Sequence, residues 1–413
     1  KLKDSELSYR KAIELNPDFA EAHTNLGIIL KSLGKLQDGE LSHRKAIELN
    51  PDFAEAHSNL GNILRDLGKL QDAELSTRKA IELKPDFAKA YYSLSLLKYS
   101  DKNKIWQTQL FSRSILNKKS RQDKVYIYFA RANFLHKEKN YKESARYLKL
   151  ANETQIDIKK SNPNILIKKS KVLLIESGFK EINQKENKKC PESIFIVGMF
   201  RSGTTLSESI LSMNKNVDDL GEDNILEESF LDWKASKQGI NLAELYWRKV
   251  NHKTQLNITT NKWLFNYQYA GIIASRIPNA KIIHCYRNPL DNILSIYRTN
   301  FSTGFEYFSS LVDCTNVYLD QEDLMTEYKS RFRSKIYDFN YDSLVSNPKQ
   351  EIQSLISWLG WEWDDSYLSP HLNPRSVSTA SNLQVRSPIN SKSIGGWKNY
   401  KDMLKPAIEI LTK

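Results

Sequence analysis

Along the first hundred residues, apolar and small positions recur at helical spacing, and the whole pattern returns every 34 residues. Lys11-Ala12-Ile13-Glu14 recurs as Lys45-Ala46-Ile47-Glu48 and as Lys79-Ala80-Ile81-Glu82, with Pro17, Pro51 and Pro85 in step. Ala20, Leu26 and Leu30 recur as Ala54, Leu60 and Leu64, which lie on one face of a 3.6-residue turn. Each unit is therefore predicted to be two antiparallel helices, with the proline ending one helix and opening the next. Gly27 and Gly61 let the paired helices approach closely. A lone hairpin of this kind cannot bury its apolar face, so neighbouring units are expected to stack into an extended concave surface. Residues 1–18 supply only the second helix of a unit, which predicts further repeats ahead of this start point.

Beyond residue 100 the period fades, but Tyr126 to Thr154 still reads as a helix pair, and Tyr141-Lys142-Glu143-Ser144-Ala145 echoes Leu70-Gln71-Asp72-Ala73. Residues 101–185 are predicted to continue and cap the helical array and then form a linker, with the polar, aperiodic stretch Lys180 to Lys189 as the boundary. From residue 186 the texture changes. Short β-branched runs, Ser193 to Val197, Lys281 to Tyr286 and Lys335 to Phe339, alternate with helical segments. Such runs predict a parallel sheet covered by helices on both faces, in which ligands bind at the carboxyl ends of the strands. The expected fold is thus an α-helical solenoid over residues 1–100 followed, over residues 186–413, by an α/β domain with a central parallel sheet. The 34-residue period with its small residues and proline resembles the tetratricopeptide repeat, which implies a groove that binds a protein or peptide.

Composition narrows the ligands more than the fold. At 413 residues the chain is long enough for at least two cores. The balance of 61 Lys plus Arg against 49 Asp plus Glu, a net +12, favours acidic ligands such as nucleotides or sulfated molecules. No nucleic-acid partner is expected. Cys190, Cys285 and Cys314 have no CxxC or metal-ligand spacing, which predicts reduced buried thiols and neither a disulfide framework nor a zinc site. No apolar run approaches the roughly 20 residues of a membrane span. The chain is expected to be cytoplasmic, although Lys1 falls inside a repeat and a leader ahead of it would be invisible.

The chemistry concentrates after the first strand of the second half. The run ending at Val197 enters Gly198-Met199-Phe200-Arg201-Ser202-Gly203-Thr204-Thr205, followed by the helical segment Leu206 to Met213. Strand, glycine-bearing loop and helix N-terminus bring backbone N–H groups and the positive end of the helix to one point, which predicts a phosphate or sulfate site. The spacing matches GxxxxGK[ST], except that Thr204 stands where a nucleoside-triphosphate enzyme keeps its lysine. Its absence argues against ATP or GTP chemistry. The cation has moved into the loop as Arg201, whose planar fork can grip an anion through two bonds.

The string FIVGMFRSGTTL resembles the 5′-phosphosulfate loop of sulfotransferases, in the Arg-Ser-Gly-Thr-Thr form of the tyrosylprotein and carbohydrate enzymes. A second segment, Lys281-Ile-Ile-His-Cys-Tyr-Arg287-Asn-Pro-Leu-Asp291 with Ser295 beyond it, resembles the family's 3′-phosphate segment. The two arginines lie 86 residues apart, in the family's order. The resemblance runs through roughly residues 190–400, takes in Asn261-Lys262, Tyr341-Asp342-Ser343, Ser381 to Pro388 and Gly396-Trp397-Lys398, and extends to the repeat-bearing sulfotransferases of bacteria. It implies 3′-phosphoadenosine 5′-phosphosulfate as donor, bound by Arg201, Ser202, Gly203, Thr204, Thr205, Arg287, Ser295, Tyr341 and Ser381, with no metal required. It also implies Glu222 as base and Lys262 and Arg201 as the cations of the reaction, which needs both a proton acceptor and a positive charge at the leaving oxygen.

Asp223 is the competing base, or else a cap for the following helix. An ion pair with Asp291 four residues on is the competing role for Arg287, and a packing position that for Tyr341. His284 falls inside a strand and is expected to be a satisfied core histidine, while His23 and His57 recur with the repeat and belong to its surface. Phe200 stands where many relatives have proline, and Gly396 where they have a basic residue, which Lys392 or Lys398 would have to replace. The expected acceptor is a hydroxyl on a peptide, protein or glycan. A nucleotide-binding scaffold without turnover and a kinase-like phosphotransferase are the alternatives.

Overall fold

Each predicted repeat folds as a pair of helices. The first are α1 (Leu2–Leu15), α2 (Ala20–Ser32), α3 (Leu36–Leu49), α4 (Ala54–Asp66), α5 (Leu70–Leu83) and α6 (Ala88–Leu96), joined by short turns. The computed structural model describes residues 2–97, 105–178, 191–236, 239–301, 304–373, 375, 379 and 381–413, so the predicted linker Lys180 to Lys189 and Cys190 lie outside the described residues. Gly34 and Gly68 end α2 and α4 in the left-handed region, at φ of +78° and +82°. There the N–H of Lys35 reaches back to Leu30 O and that of Lys69 to Leu64 O, satisfying carbonyls that the helix end leaves over. The close approach predicted at Gly27 and Gly61 is real. A Cβ on Gly27 would lie 2.7 Å from the His43 ring, and one on Gly61 2.3 Å from Thr77 Oγ1. Burial, with Lys31 nearby, pushes the His43 imidazole down to about 4, so it packs neutral between helices.

Helices α7 (Ile105–Phe111), α8 (Arg121–Lys137) and α9 (Tyr141–Ile158) continue the array, α8 and α9 being the helix pair expected there. Ser120 and Asn140 cap α8 and α9 by accepting from the N–H of Asp123 and Glu143. Residues 1–160, 297–309 and 374–384 make one compact unit, and residues 161–296, 310–373 and 385–413 make a second.

The second unit is built on five parallel strands in the order β2-β3-β1-β4-β5: β1 (Glu192–Gly198), β2 (Val217–Asp219), β3 (Ile258–Asn261), β4 (Ala280–Tyr286) and β5 (Ile336–Asn340). Its helices include α10 (Asn164–Glu176), α11 (Thr204–Leu211), α12 (Ile225–Ala235), α13 (Leu242–Asn251), α14 (Ala270–Arg276), α15 (Pro289–Tyr297), α16 (Leu311–Phe332), α17 (Tyr341–Ser346) and α18 (Pro348–Leu359). Strand pleating divides β1 between two cores. Phe195 and Val197 pack with Tyr246, Ile273, Met325 and Tyr328 on one face, while Ile194 and Ile196 pack with Ile210, Phe339, Leu355 and Ile356 on the other. Burial on both faces explains why this strand is a continuous apolar run. From β1 the chain crosses through α11 to the edge at β2, then returns past β1 to β4, so the strand order reverses beside β1 and opens a crevice there. No helix among the described residues is long and apolar enough to cross a membrane.

Candidate active site

All five strands deliver a polar group or an anion-binding loop at their carboxyl ends. β1 runs into the Gly198 to Thr205 loop, β2 into Glu222, β3 into Lys262, β4 into Arg287 and β5 into Tyr341. The order of these groups across the crevice follows the strand order.

The loop turns twice through the left-handed region, at Arg201 (φ 68°) and at Gly203 (φ 104°), before α11 starts at Thr204. Backbone in this form directs successive N–H groups inward as an anion nest, reinforced by the helix N-terminus. A side chain at 203 would collide with the Tyr341 ring, since a Cβ there would lie 2.5 Å from it. Phe200 sets its ring at 64° to Phe265, centroids 5.7 Å apart, and its carbonyl accepts from Asn292 Nδ2 at 2.7 Å. The loop is thus held from α15 and from the segment after β3.

The two predicted phosphate segments meet. Arg201 Nε donates to Ser295 Oγ at 3.1 Å, and Arg287 Nη1 to Arg201 O at 3.4 Å. The Arg287 guanidinium lies 4.6 Å from the centre of the Tyr341 ring, and the Tyr341 hydroxyl shares a hydrogen bond of 2.8 Å with Ser393 Oγ. Tyr341 is therefore more than packing. The ion pair between Arg287 and Asp291 does not form. Asp291 accepts instead from the backbone N–H groups of Gly395 and Trp397. Ser202 Oγ and Arg287 Nε are buried and have no protein hydrogen-bond partner among the described residues. Both are donors whose chemistry suits anionic oxygens.

Lys262, fully buried, places Nζ 2.6 Å from Glu222 Oε1 and 3.9 Å from Glu208 Oε2. The Glu222 side chain stays 39% exposed and can meet an acceptor from solvent. Lys262 N also donates to Gly221 O at 2.9 Å, so main chain and side chain together tie the ends of β2 and β3. Asp223 does not cap the following helix, because its carboxylate is taken by the Lys253 ammonium and α12 starts after Asn224 without a side-chain cap. Ser381 belongs to residues 374–384, which fall in the first compact unit, whereas the remaining predicted site residues fall in the second.

Sequence reading missed Glu208, Asn292 and Ser393. Glu208 was the most accessible of these, since it stands four residues after Thr204 on the same helix and so on the same face. His284 is fully buried in β4, with Asp338 and Glu322 each 3.4 Å from a ring nitrogen, away from the loop chemistry. Cys285 and Cys314 are free and buried, and burial pushes the Cys285 thiol up to about 12, which leaves it inert.

Residues 191–365 match the model of the sulfotransferase family, and residues 2–34, 20–53 and 54–87 match tetratricopeptide-repeat models. A protein of Aquifex aeolicus (strain VF5) named "Uncharacterized protein" is 30% identical over 244 residues, covering 53% of this chain and 32% of that protein. A "Protein-tyrosine sulfotransferase" of Drosophila melanogaster is 24% identical over 260 residues, covering 55% of this chain and 52% of its own. The chain thus spans from a third to a half of these relatives' lengths. Among solved structures, the "Sulfotransferase Domain from the Synechococcus PCC 7002 Olefin Synthase" shares 18% identity at a TM-score of 0.38, covering 55% of this chain and 98% of that one. The segment that matches the sulfotransferase-family model holds the loop, Glu222, Lys262, Arg287 and Tyr341, while Ser393 to Trp397 lie beyond it.

Proposed function

We propose that this chain transfers the sulfuryl group of 3′-phosphoadenosine 5′-phosphosulfate to a hydroxyl on a peptide, protein or glycan. The reading rests on one observation above the others. The loop and the Arg287 to Ser295 segment meet, Arg201 with Ser295 and Arg287 with Arg201 O, and each carries a buried donor without a protein partner, Ser202 Oγ and Arg287 Nε, which supports a nucleotide with phosphate at both its 5′ and 3′ ends. In this reading Ser202, Gly203, Thr204 and Thr205 hold the 5′ end, and Arg287 and Ser295 hold the 3′-phosphate.

Glu222 takes the proton of the acceptor hydroxyl as its oxygen attacks sulfur. The new O–S bond forms while the bond from sulfur to the bridging oxygen breaks, and the released charge falls on the 5′-phosphate. Lys262, itself fully buried, and Arg201 supply the positive charge that this oxygen needs. The name of the Drosophila relative supports a tyrosine hydroxyl as acceptor, and the repeats support delivery of a macromolecule that carries it.

The test is transfer of labelled sulfate from the donor to a panel of peptides, glycans and cell extract, with Glu222→Gln alongside. That variant is expected to keep its affinity for adenosine 3′,5′-bisphosphate and to lose transfer, by roughly 100-fold or more as befits removal of a general base. Full turnover by Glu222→Gln would remove Glu222 from the role. Failure of the unaltered chain to bind the bisphosphate would remove the donor.

A further inference from the structure

We infer that Asp291 is a positioning residue for the donor: its carboxylate anchors the backbone of Ser393 to Trp397 as a wall of the cleft beside Arg287, without itself reaching the nucleotide. The inference rests on the donor reading above and adds to it the device that orients the 3′-phosphate contact.

Asp291 is 4% exposed, in the first turn of α15 and four residues after Arg287. One carboxylate oxygen accepts from Gly395 N at 2.6 Å and the other from Trp397 N at 2.9 Å. A buried carboxylate is costly unless its lone pairs are met, and here two backbone N–H groups more than 100 residues downstream meet them. Charge-assisted bonds of this kind are among the stronger ones a protein makes, so the tether is strong in both directions. Gly395 has a φ of +70°, the left-handed region, at the point where the segment bends back onto α15.

The same segment is gripped at its other end by the residues assigned to the nucleotide. Arg287 Nη2 donates to Ser393 O at 3.0 Å, and Ser393 Oγ pairs with the Tyr341 hydroxyl. With Nη1 directed to Arg201 O, both terminal nitrogens of Arg287 are thereby fixed by backbone carbonyls, which aims the guanidinium and leaves Nε for an anion. One of those two carbonyls sits on the segment that Asp291 holds. Freeing the segment would release Arg287 from one of its two anchors and let it sample orientations in which Nε no longer faces the 3′ end. The carboxylate thus acts through the segment and Arg287. The general first-turn preference for an acidic residue, by contrast, is worth only tenths of a kcal/mol at an exposed site and needs no distant partner.

The experiment compares the unaltered chain, Asp291→Asn and Asp291→Ala by calorimetric titration with adenosine 3′,5′-bisphosphate and with adenosine 5′-phosphate. Melting temperature and tryptic cleavage after the exposed Lys392 and Lys398 are followed in parallel. Asp291→Ala is expected to weaken the bisphosphate by roughly 10- to 100-fold, the scale of two hydrogen bonds to a charged group, and to narrow the gap between the two nucleotides. Asp291→Asn, which keeps one acceptor oxygen, should lie between. Cleavage after Lys392 and Lys398 should quicken in both variants and slow again when bisphosphate is added. Unchanged bisphosphate affinity, or an equal loss for both nucleotides accompanied by a fallen melting temperature, would overturn the inference. An unaltered chain that binds neither nucleotide would overturn the donor reading and this inference with it.

Discussion

His284 carries a charge question of its own. Burial in β4 pushes its imidazole down, but the Asp338 and Glu322 carboxylates beside its two ring nitrogens outweigh burial and raise it above the ordinary histidine value. Asp338 moves the opposite way. Burial raises it, and His284, Arg333 at 2.7 Å and Lys329 at 3.1 Å more than reverse that and hold its carboxyl low. A raised imidazole stabilises the fold in full below the unfolded value of about 6.5, and that stabilisation is lost as pH rises through the folded value. The low Asp338 carboxyl is not the limit in this range, because its contribution is complete above the ordinary Asp value of about 3.9 and is lost only as pH falls below it. The melting temperature of the unaltered chain should therefore exceed that of His284→Gln most clearly just below pH 6.5, and the gap should close toward alkaline pH. A gap that does not change with pH would show that His284 packs without charging. Lys262 poses the complementary case. Its buried Nζ has Glu222 Oε1 at 2.6 Å, so the proposed proton acceptor and cation form one ion pair. Kinetic losses from altering either residue are not expected to add.

At the scale of elements, the loop exists because β1 and β4 come together closely enough to force glycine at their shared end. Gly198 has a φ of +151°, and a Cβ there would lie 2.2 Å from Cys285 O, a backbone atom that cannot step aside. Gly198→Ala is expected to cost about 1–3 kcal/mol from the backbone conformation alone, with the collision adding to that. A melting curve measures this, and an unshifted curve would mean that β1 and β4 part more readily than their register implies. The strand was legible as an apolar run and its glycine as a loop signal. The reason for this glycine lay in β4, 87 residues downstream. Strands β2 and β3, three and four residues long, were not foreseen. Asp218, Asp219, Thr259, Thr260 and Asn261 carry no apolar run, and their place comes from pairing with each other and with β1.

Across the whole molecule, the net charge of +12 favours anionic ligands, and the Gly198 to Thr205 loop, Glu222, Lys262, Arg287 and Tyr341 all belong to the second compact unit. Between successive repeats lie matching cavities of about 460 and 600 Å³. Leu41 lines the first beside His23, and Leu75 lines the second beside His57. These leucines are 65% and 67% exposed, so their replacement should leave the fold intact. If the repeats present the acceptor, Leu41→Asp combined with Leu75→Asp should lower transfer to a macromolecular acceptor and leave bisphosphate affinity unchanged. Equal transfer by the variant and the unaltered chain, measured with the same acceptor, would take these cavities out of acceptor delivery.

The sequence by itself determined the elements whose stability is local or repeated. It marked the 34-residue helix pairs, the three apolar strands, and the residue types of an anion loop with a cation and a carboxylate nearby, because periodicity and loop chemistry are written into adjacent positions. Only the tertiary structure decided which of these groups touch. Glu222 and Lys262 stand 40 residues apart and meet because β2 and β3 pair in parallel, with Asp219 opposite Thr260. Asp291 had a local cation four residues before it, yet its carboxylate went to Gly395 and Trp397. Residues 297–309 and 374–384 joined the compact unit of the repeats although they lie far from them in the chain. The physical reason is common to the first two. A buried polar group takes the partner that the packed fold brings to its side, and distance along the chain does not limit that choice.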